Sequence, residues 1–534
     1  MSQLAPAAIE VSSTPYPRAP TPGLARDRRI RVDALTIVVT VALALFVALT
    51  LIRLNGPITD AHGFRQTQTA ISIREMTRGG PLLRYETPVL GPPWSIPFEL
   101  PVYQWVVAGL AVLFGTRIPA TGRIVSAAMF LLAVAFIDRI ARRIGFSRAG
   151  RAVFTASMLL SPIYVFWSRT VMIESTALML CAAFVAVALR AQEGRDDRSR
   201  PSRYLGDVSA FILGCSAAAV KPTTFVGAAL FLSLVSMRLD RFRSWGTRLR
   251  VYLYLGASLV ALVAWTAYAD HQKRLSPLAH GLVSRAMMSW NFGTTSQKVD
   301  AGRWTRYLVR TLNDGLGYWV LVPVTLAVAV LSNRPNRAPL PYSRIGSSLV
   351  LFAAVPAVFT NLHFAHSYYP YANTLFVLAA LALALSPDDA ARWTKGAVIA
   401  VVVMFSCQAT ASLVLVGSVA GIDHGPNPEL ARVVRSATDS NDVVLAHGLD
   451  WSSELAYESD RRAIMDVRNR PLQSPAMAGV LEGLRREHRR IGAFIQCSSS
   501  GVELARAAAD ASRLGLRSMT ESIGSCRVFV RQPH

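Results

Sequence analysis

"ELPVYQWVVAGLAVLFG", residues 99–115, decides how the chain is arranged. The run is apolar but opens on a glutamate and a proline, with Tyr103 and Trp105 close behind. If it crosses a bilayer, every later loop changes side. If it lies in the interface, where tyrosine and tryptophan are enriched, the basic segments 139–151, 190–204, 238–250 and 333–345 all fall on the side of the N-terminus. Lysine and arginine favour the cytoplasmic side, so the interfacial reading is preferred and the N-terminus is expected to be cytoplasmic.

The rest of the sequence supplies the membrane. Of 534 residues, 52% are hydrophobic and 17% charged, with mean hydropathy +0.34. A soluble domain could not hide that much apolar surface. A spanning helix needs about 20 residues. Runs of suitable length and character lie at 33–52, 119–138, 150–167, 172–190, 206–220, 223–237, 251–268, 315–332, 346–361, 369–386 and 397–418. The expected fold is therefore a polytopic α-helical membrane protein with eleven spans.

The net charge of +23 sits mainly in short loops such as "RDRRIR" (26–31) and "RIARR" (139–143), beside apolar runs. No basic patch carries interleaved aromatic residues, which argues against a nucleic-acid partner. The 269–314 loop carries seven Lys or Arg on the outer side. Long loops are partly exempt from the charge bias, and cations near a phosphate would be another reason.

Residues 1–32 lack an apolar core and read as a disordered cytoplasmic tail, and 33–418 as the membrane domain. From 427 to 534 the composition is that of a small α/β domain, expected outside the cytoplasm. "DVVLAHG", "GAFIQCS" and "SCRVFVRQ" read as strands, with helices between them. Cys181, Cys215 and Cys407 lie in apolar runs, whereas Cys497 and Cys526 can pair if the tail is extracytoplasmic.

The first loop, "GPITDAHGFRQTQTAISIREMTRGG" (56–80), places Asp60, His62, Arg65 and Gln66 directly after a span. Asp60 alone would be read as a helix cap and Arg65 as a surface charge. The segment is expected to form a short amphipathic helix flat on the outer leaflet. Further on, "SPIYVFWSRTVMIESTALML" carries Arg169 and Glu174, where an ion pair between the two and a role of Glu174 in positioning an acceptor stand as equal readings. Lys221 stands before Pro222 between two apolar runs, where it would snorkel or serve a site. "HFAHSYYPY" brings His363, His366, Tyr368 and Tyr369 into one outer turn, without a third metal ligand nearby. In the tail, His447, Asp450 and Ser452 suggest a hydrolase triad, but nothing like a nucleophile elbow surrounds the serine.

These segments, with "PFELPVYQWVVAGLAVLFG", "GRIVSAAMFLLAV" and "AVKPTTF", resemble the lipid-linked-sugar glycosyltransferases of the GT-C superfamily. The likeness covers roughly residues 30–390. It is strongest to bacterial relatives of the protein O-mannosyltransferases and the lipid A aminoarabinose transferases. One departure is that the mannosyltransferases carry paired acids in the first loop, whereas here Ala61 follows Asp60.

The resemblance implies an inverting transfer of a hexosyl or pentosyl unit from a polyprenyl-phosphate donor. The acceptor would be a hydroxyl on a glycan, lipid or protein of the cell envelope, at the outer face of the cytoplasmic membrane. Such a transfer needs a base for the acceptor proton and cations for the departing phosphate. Asp60 is the implied base. Arg65, Arg169 and Lys221 are the phosphate-side cations, with His62, Gln66, Glu174, His363, His366, Tyr368 and Tyr369 as further binding residues. No cofactor is assigned, and there is room for a divalent cation. The competing class is a transporter or lipid flippase, which usually shows paired repeats and broken midplane helices. No clear repeat is present, and the polar groups gather at the outer surface instead. A sensor using the tail domain would leave the charged first loop without a role.

Overall fold

A computed structural model describes residues 33–192, 200–238, 244–331, 341–386, 394–419, 422, 428–498, 500–519 and 522–531. The N-terminal tail, and parts of three of the four basic segments, lie outside the described residues.

Among the described residues, five helices are long and apolar enough to cross a membrane: Ala34–Leu51, Ile118–Arg143, Glu174–Gln192, Trp245–Arg274 and Lys395–Val419. The 206–220 run lies within Arg200–Val220, and the remaining expected spans form shorter helices. The 150–167 run is divided at Ser161, where Pro162 begins a new turn, into Arg148–Leu160 and Pro162–Trp167. Val102–Phe114, the helix of the opening quotation, is 13 residues long, or about 20 Å against the ~30 Å of a hydrocarbon core. Gly115 ends it in a left-handed turn.

Large apolar side chains point outward on several of these helices, among them Leu113, Val260, Val350 and Val414, each more than 60% exposed. Such a surface suits lipid and would be a liability in water. Lipid supplies no hydrophobic drive between helices, so packing and polar contacts hold them together. Phe130 stacks on Tyr164 (5.2 Å), which meets Tyr371 edge-on (4.9 Å). Gln408 Nε2 donates to Gly315 O (3.0 Å), and Ser161 Oγ donates to the same carbonyl (2.7 Å).

The C-terminal region is a five-stranded sheet in the order β2-β1-β3-β5-β4, with β1 Val443–His447, β2 Arg462–Asp466, β3 Ile491–Cys497, β4 Arg517–Ser518 and β5 Cys526–Val530. β1, β2 and β3 run parallel, and β5 is antiparallel to both β3 and β4. Cys497 and Cys526 face each other across β3 and β5 and form a disulfide.

β2 would be an exposed edge, but the segment between the helices Gly63–Thr77 and Val102–Phe114 covers it. Ala463 N donates to Pro88 O (2.9 Å) and Met465 N to Val89 O (2.8 Å). Trp94 from the same segment is buried in the core of the sheet. Pairing an edge with another part of the chain removes a site of aggregation.

The helix of the first loop, Gly63–Thr77, corrects the expectation of an amphipathic helix on the leaflet. Eleven of its 15 residues are buried, including Gln66, Thr67, Gln68, Thr69 and Ser72. Its polar side chains face protein on more than one side. Thr67 Oγ1 and Ser453 Oγ are 2.9 Å apart, and Arg74 donates to Tyr457 O (2.8 Å) and pairs with Asp460 (2.9 Å). The helix is thus a buried connector between the membrane helices and the C-terminal sheet.

Candidate functional site

Where Gly63–Thr77 begins, the chain is held in an uncommon conformation. His62 precedes the helix with φ 46° and makes no side-chain cap. A non-glycine residue there costs on the order of 1 kcal/mol or more, and such strain gathers at functional turns. The His62 ring is fixed by Ser367 Oγ (3.1 Å from Nε2) and lies edge-on to Tyr368 (5.2 Å).

Asp60 does not cap the helix, and its carboxylate is 3% exposed. Oδ1 accepts from Ala61 N (2.9 Å) and Gln66 Nε2 (2.7 Å), and Oδ2 faces Arg123 Nη2 (3.5 Å). Gln66 in turn accepts from Val171 N (3.1 Å). Arg123, itself 1% exposed, also donates to Leu54 O, Gly56 O and Pro57 O. Arg169 is buried beside this group and donates to Ile52 O. Asp60, Gln66, Arg123 and Arg169 therefore form an inner cluster that fixes the loop leaving the first helix.

Beside this cluster opens a cavity of about 1040 Å³. His62, Arg65, Glu174, Lys221, His366, Tyr368 and Tyr369 line it; Asp60, Gln66, Arg169 and His363 do not. Lys221 stands where the helices Arg200–Val220 and Pro222–Arg238 meet, with its ammonium 4.7 Å from the Tyr369 ring centroid. It pairs with Glu174, which corrects the expected Arg169–Glu174 pair. Residues 168–173 are irregular between two helices, so the two side chains do not share a helical face.

His363 is committed to structure. Its Nδ1 donates to Phe359 O (2.8 Å) and its Nε2 accepts from Asn373 Nδ2 (3.1 Å), and burial pushes its pKa down to about 4. Among the described residues no group of three metal-ligating side chains occurs. In the tail, His447 faces Asp466 (3.7 Å) rather than Asp450.

The sequence reading missed Glu99 and Arg123. Glu99 accepts from Arg65 Nη2 (3.0 Å) and Gln104 Nε2 (3.0 Å), and Leu100 N bonds Ala219 O (3.0 Å), which holds this acid beside Lys221. Burial works against the charge of Arg65, yet Glu99, Tyr368 and Tyr369 more than offset it, so its pKa lies above the ordinary value. His366 is driven down to about 4, first by burial and then by His62, Arg65, Lys221 and Arg310. The site thus sets the fixed Arg65 guanidinium and the Lys221 amine, whose pKa burial and then Arg65 push well below the ordinary lysine value, beside neutral imidazoles and phenols, a donor-rich lining suited to an oxyanion.

A family model for dolichyl-phosphate-mannose-protein mannosyltransferases matches residues 86–274. Among solved structures, ArnT from Cupriavidus metallidurans in the apo state superimposes with TM-score 0.62 at 15% identity, over 94% of this chain and 100% of that one. The same protein bound to undecaprenyl phosphate gives TM-score 0.60 at 15% identity, over 94% and 99%. The chain has an ArnT-like fold.

The arabinofuranosyltransferase AftD from Mycobacteria superimposes with TM-score 0.51 at 15% identity, over 94% of this chain but 40% of that longer one. No curated protein matches the sequence. The family-model match takes in Glu99, Arg123, Arg169, Glu174 and Lys221, whereas Asp60 and His366 lie outside it.

Proposed function

We propose that this protein is an inverting glycosyltransferase that moves a hexosyl or pentosyl unit from a polyprenyl-phosphate donor to an acceptor hydroxyl. The supporting observation is the convergence of Arg65, Lys221, His62, His366, Tyr368 and Tyr369 on one cavity. The donor phosphate binds there. As the C1–O bond to phosphate breaks, Arg65 and Lys221 stabilise the charge left on the polyprenyl phosphate. The acceptor oxygen attacks C1 from the opposite face, and its proton passes to a carboxylate.

Asp60 is the proposed base. It stands two residues from His62, in the turn whose strain marks it, and Arg123 balances its buried charge. Substrate binding commonly tightens catalytic contacts that are loose in a ligand-free enzyme, so its place just behind the cavity wall is compatible with this role. Glu174 is the second reading, because its Oε1 has no hydrogen-bond partner among the described residues and the residue lines the cavity.

The test is transfer from radiolabelled polyprenyl-phosphate sugars by protein in nanodiscs, with donor binding measured in parallel. Asp60→Asn should lower turnover by roughly 10²–10⁴ while retaining donor binding. Full turnover by Asp60→Asn together with loss in Glu174→Gln would assign the base to Glu174. Donor translocation without transfer would establish a flippase instead.

The proposed setting is the cytoplasmic membrane, with the N-terminus inside and the 427–534 domain outside; the Cys497–Cys526 disulfide supports an oxidising side for that domain. A cysteine at the exposed Val502 should then react with an impermeant maleimide in intact cells. Reaction only after lysis would reverse the topology.

A further inference from the structure

The C-terminal sheet does more than dock on the first loop: it forms part of the cavity wall. The strand order places β2 on one side of β1 and β3 on the other, so the chain reverses direction of travel at the carboxyl end of β1. In parallel sheets, ligands bind in the crevice at that point. Here the loop leaving β1 runs directly into the membrane-side cavity, to which it contributes residues 448–452 and Glu454.

The loop is tightly held. Gly448 has φ 75°, and a Cβ there would stand 1.9 Å from Cys497 O, so the backbone passes against β3 where only glycine fits. Trp451 packs edge-on to Phe64 (4.7 Å, 84°) and lies 5.8 Å from Phe98. Ser453 Oγ donates to Phe64 O (3.2 Å), and Glu454 Oε1 lies 2.8 Å from where a Cβ on Gly63 would stand. The loop therefore reaches the residue next to His62.

Charge divides the cavity between two sources. On the membrane side its cations, Arg65 and Lys221, are each paired with an acid of that side, Glu99 and Glu174. Among the described lining residues, the C-terminal domain supplies two acids, Asp450 and Glu454, one indole and no lysine or arginine. Acids would repel a phosphate. They accept hydrogen bonds from vicinal hydroxyls, and an indole offers a flat apolar face for the C–H side of a pyranose or furanose ring.

Resting on the donor-site reading above, we propose that the Gly448–Glu454 loop is an acceptor subsite for a neutral saccharide chain. Trp451 stacks on a sugar ring, and Asp450 and Glu454 bind its hydroxyls. The acceptor is then a glycan rather than a protein or a phosphorylated lipid headgroup.

The experiment is saturation-transfer NMR on the full chain in nanodiscs, using neutral hexose and pentose oligosaccharides, an acidic oligosaccharide and a serine/threonine-rich peptide as separate probes. This readout does not need turnover, so it stands whether or not the transfer chemistry is confirmed. A neutral oligosaccharide should bind saturably, with affinity lowered at least tenfold in Trp451→Ala and in the milder Asp450→Asn. Where transfer is measurable, the acceptor KM should rise in both variants with donor KM unchanged. Saturable binding of the peptide alone, preference for the acidic oligosaccharide, no binding of any neutral oligosaccharide, or neutral binding equal in the wild type and both variants would each overturn the proposal.

Discussion

Trp94→Ala should loosen the C-terminal sheet although Trp94 lies nearly 350 residues before β1. The side chain is 1% exposed, and its ring is part of a core with Leu445, Ile464, Val480 and Phe494. Its Nε1 donates to Glu487 Oε2 (2.7 Å), and the Arg462 guanidinium lies 5.1 Å from the ring centroid. Truncating a buried tryptophan to alanine costs about 3–5 kcal/mol. Glu487 is 34% exposed, so its bond adds at most about 1 kcal/mol. A domain of this size unfolds with about 5–15 kcal/mol, so the loss is a large share. At about 1.4 kcal/mol per tenfold, sheet opening becomes easier by at least two orders of magnitude. Hydrogen exchange followed by mass spectrometry should show that acceleration in peptides covering β1, β2 and β3. Trp94→Phe, which keeps most of the ring volume, should stay within roughly tenfold of wild type. Unchanged exchange in Trp94→Ala, or equal acceleration in the membrane helices, would refute the view that this loop is a specific plug of the sheet.

Three further perturbations test the site and its supports. Arg123→Met strands the buried Asp60 carboxylate and three carbonyls, so thermal unfolding in detergent should report a loss of about 3–5 kcal/mol; an unchanged melting curve would show that Arg123 is dispensable. Replacing Cys497 and Cys526 together by alanine opens a loop of sequence separation 29, worth about 3–4 kcal/mol, and exchange should rise in the C-terminal sheet alone. His366 should titrate near pH 4 in ring-labelled NMR spectra, against an ordinary value of 6.5. Because the folded value is depressed, its contribution to stability is full above about pH 6.5 and is lost as pH falls toward 4; a midpoint near 6.5 would contradict its burial.

How much of this was legible beforehand depends on the range of the interaction that decides each feature. The apolar runs and the strands "DVVLAHG", "GAFIQCS" and "SCRVFVRQ" are local patterns, and the structure forms helices and strands over them. β2 escaped because "RAIMD" is short and opens on the second of two arginines, and β4 because two residues carry no pattern. Arg123 was visible in "GRIVSAAMFLLAV" as a lone arginine near the start of an apolar helix, a placement that is expensive unless it is functional or structural. It was passed over as part of a hydrophobic layout. Glu99 stood between two prolines at the same boundary and was taken as the lead of an interfacial helix.

The misreading of Gly63–Thr77 is more instructive, because its polar residues were counted as water-facing. They are buried because the partners that satisfy them, Ser453, Tyr457 and Asp460, lie nearly 400 positions away. No local periodicity encodes that pairing. A helix with polar groups on several faces next to a membrane span needs hydrogen-bond partners wherever it is buried. An unassigned soluble domain later in the chain is the natural place to look for them. By the same logic, the Gly448–Glu454 loop was set aside after a failed match to a hydrolase triad. What matters in it is where the carboxyl end of β1 delivers Asp450, Trp451 and Glu454, and that is fixed by docking rather than by spacing.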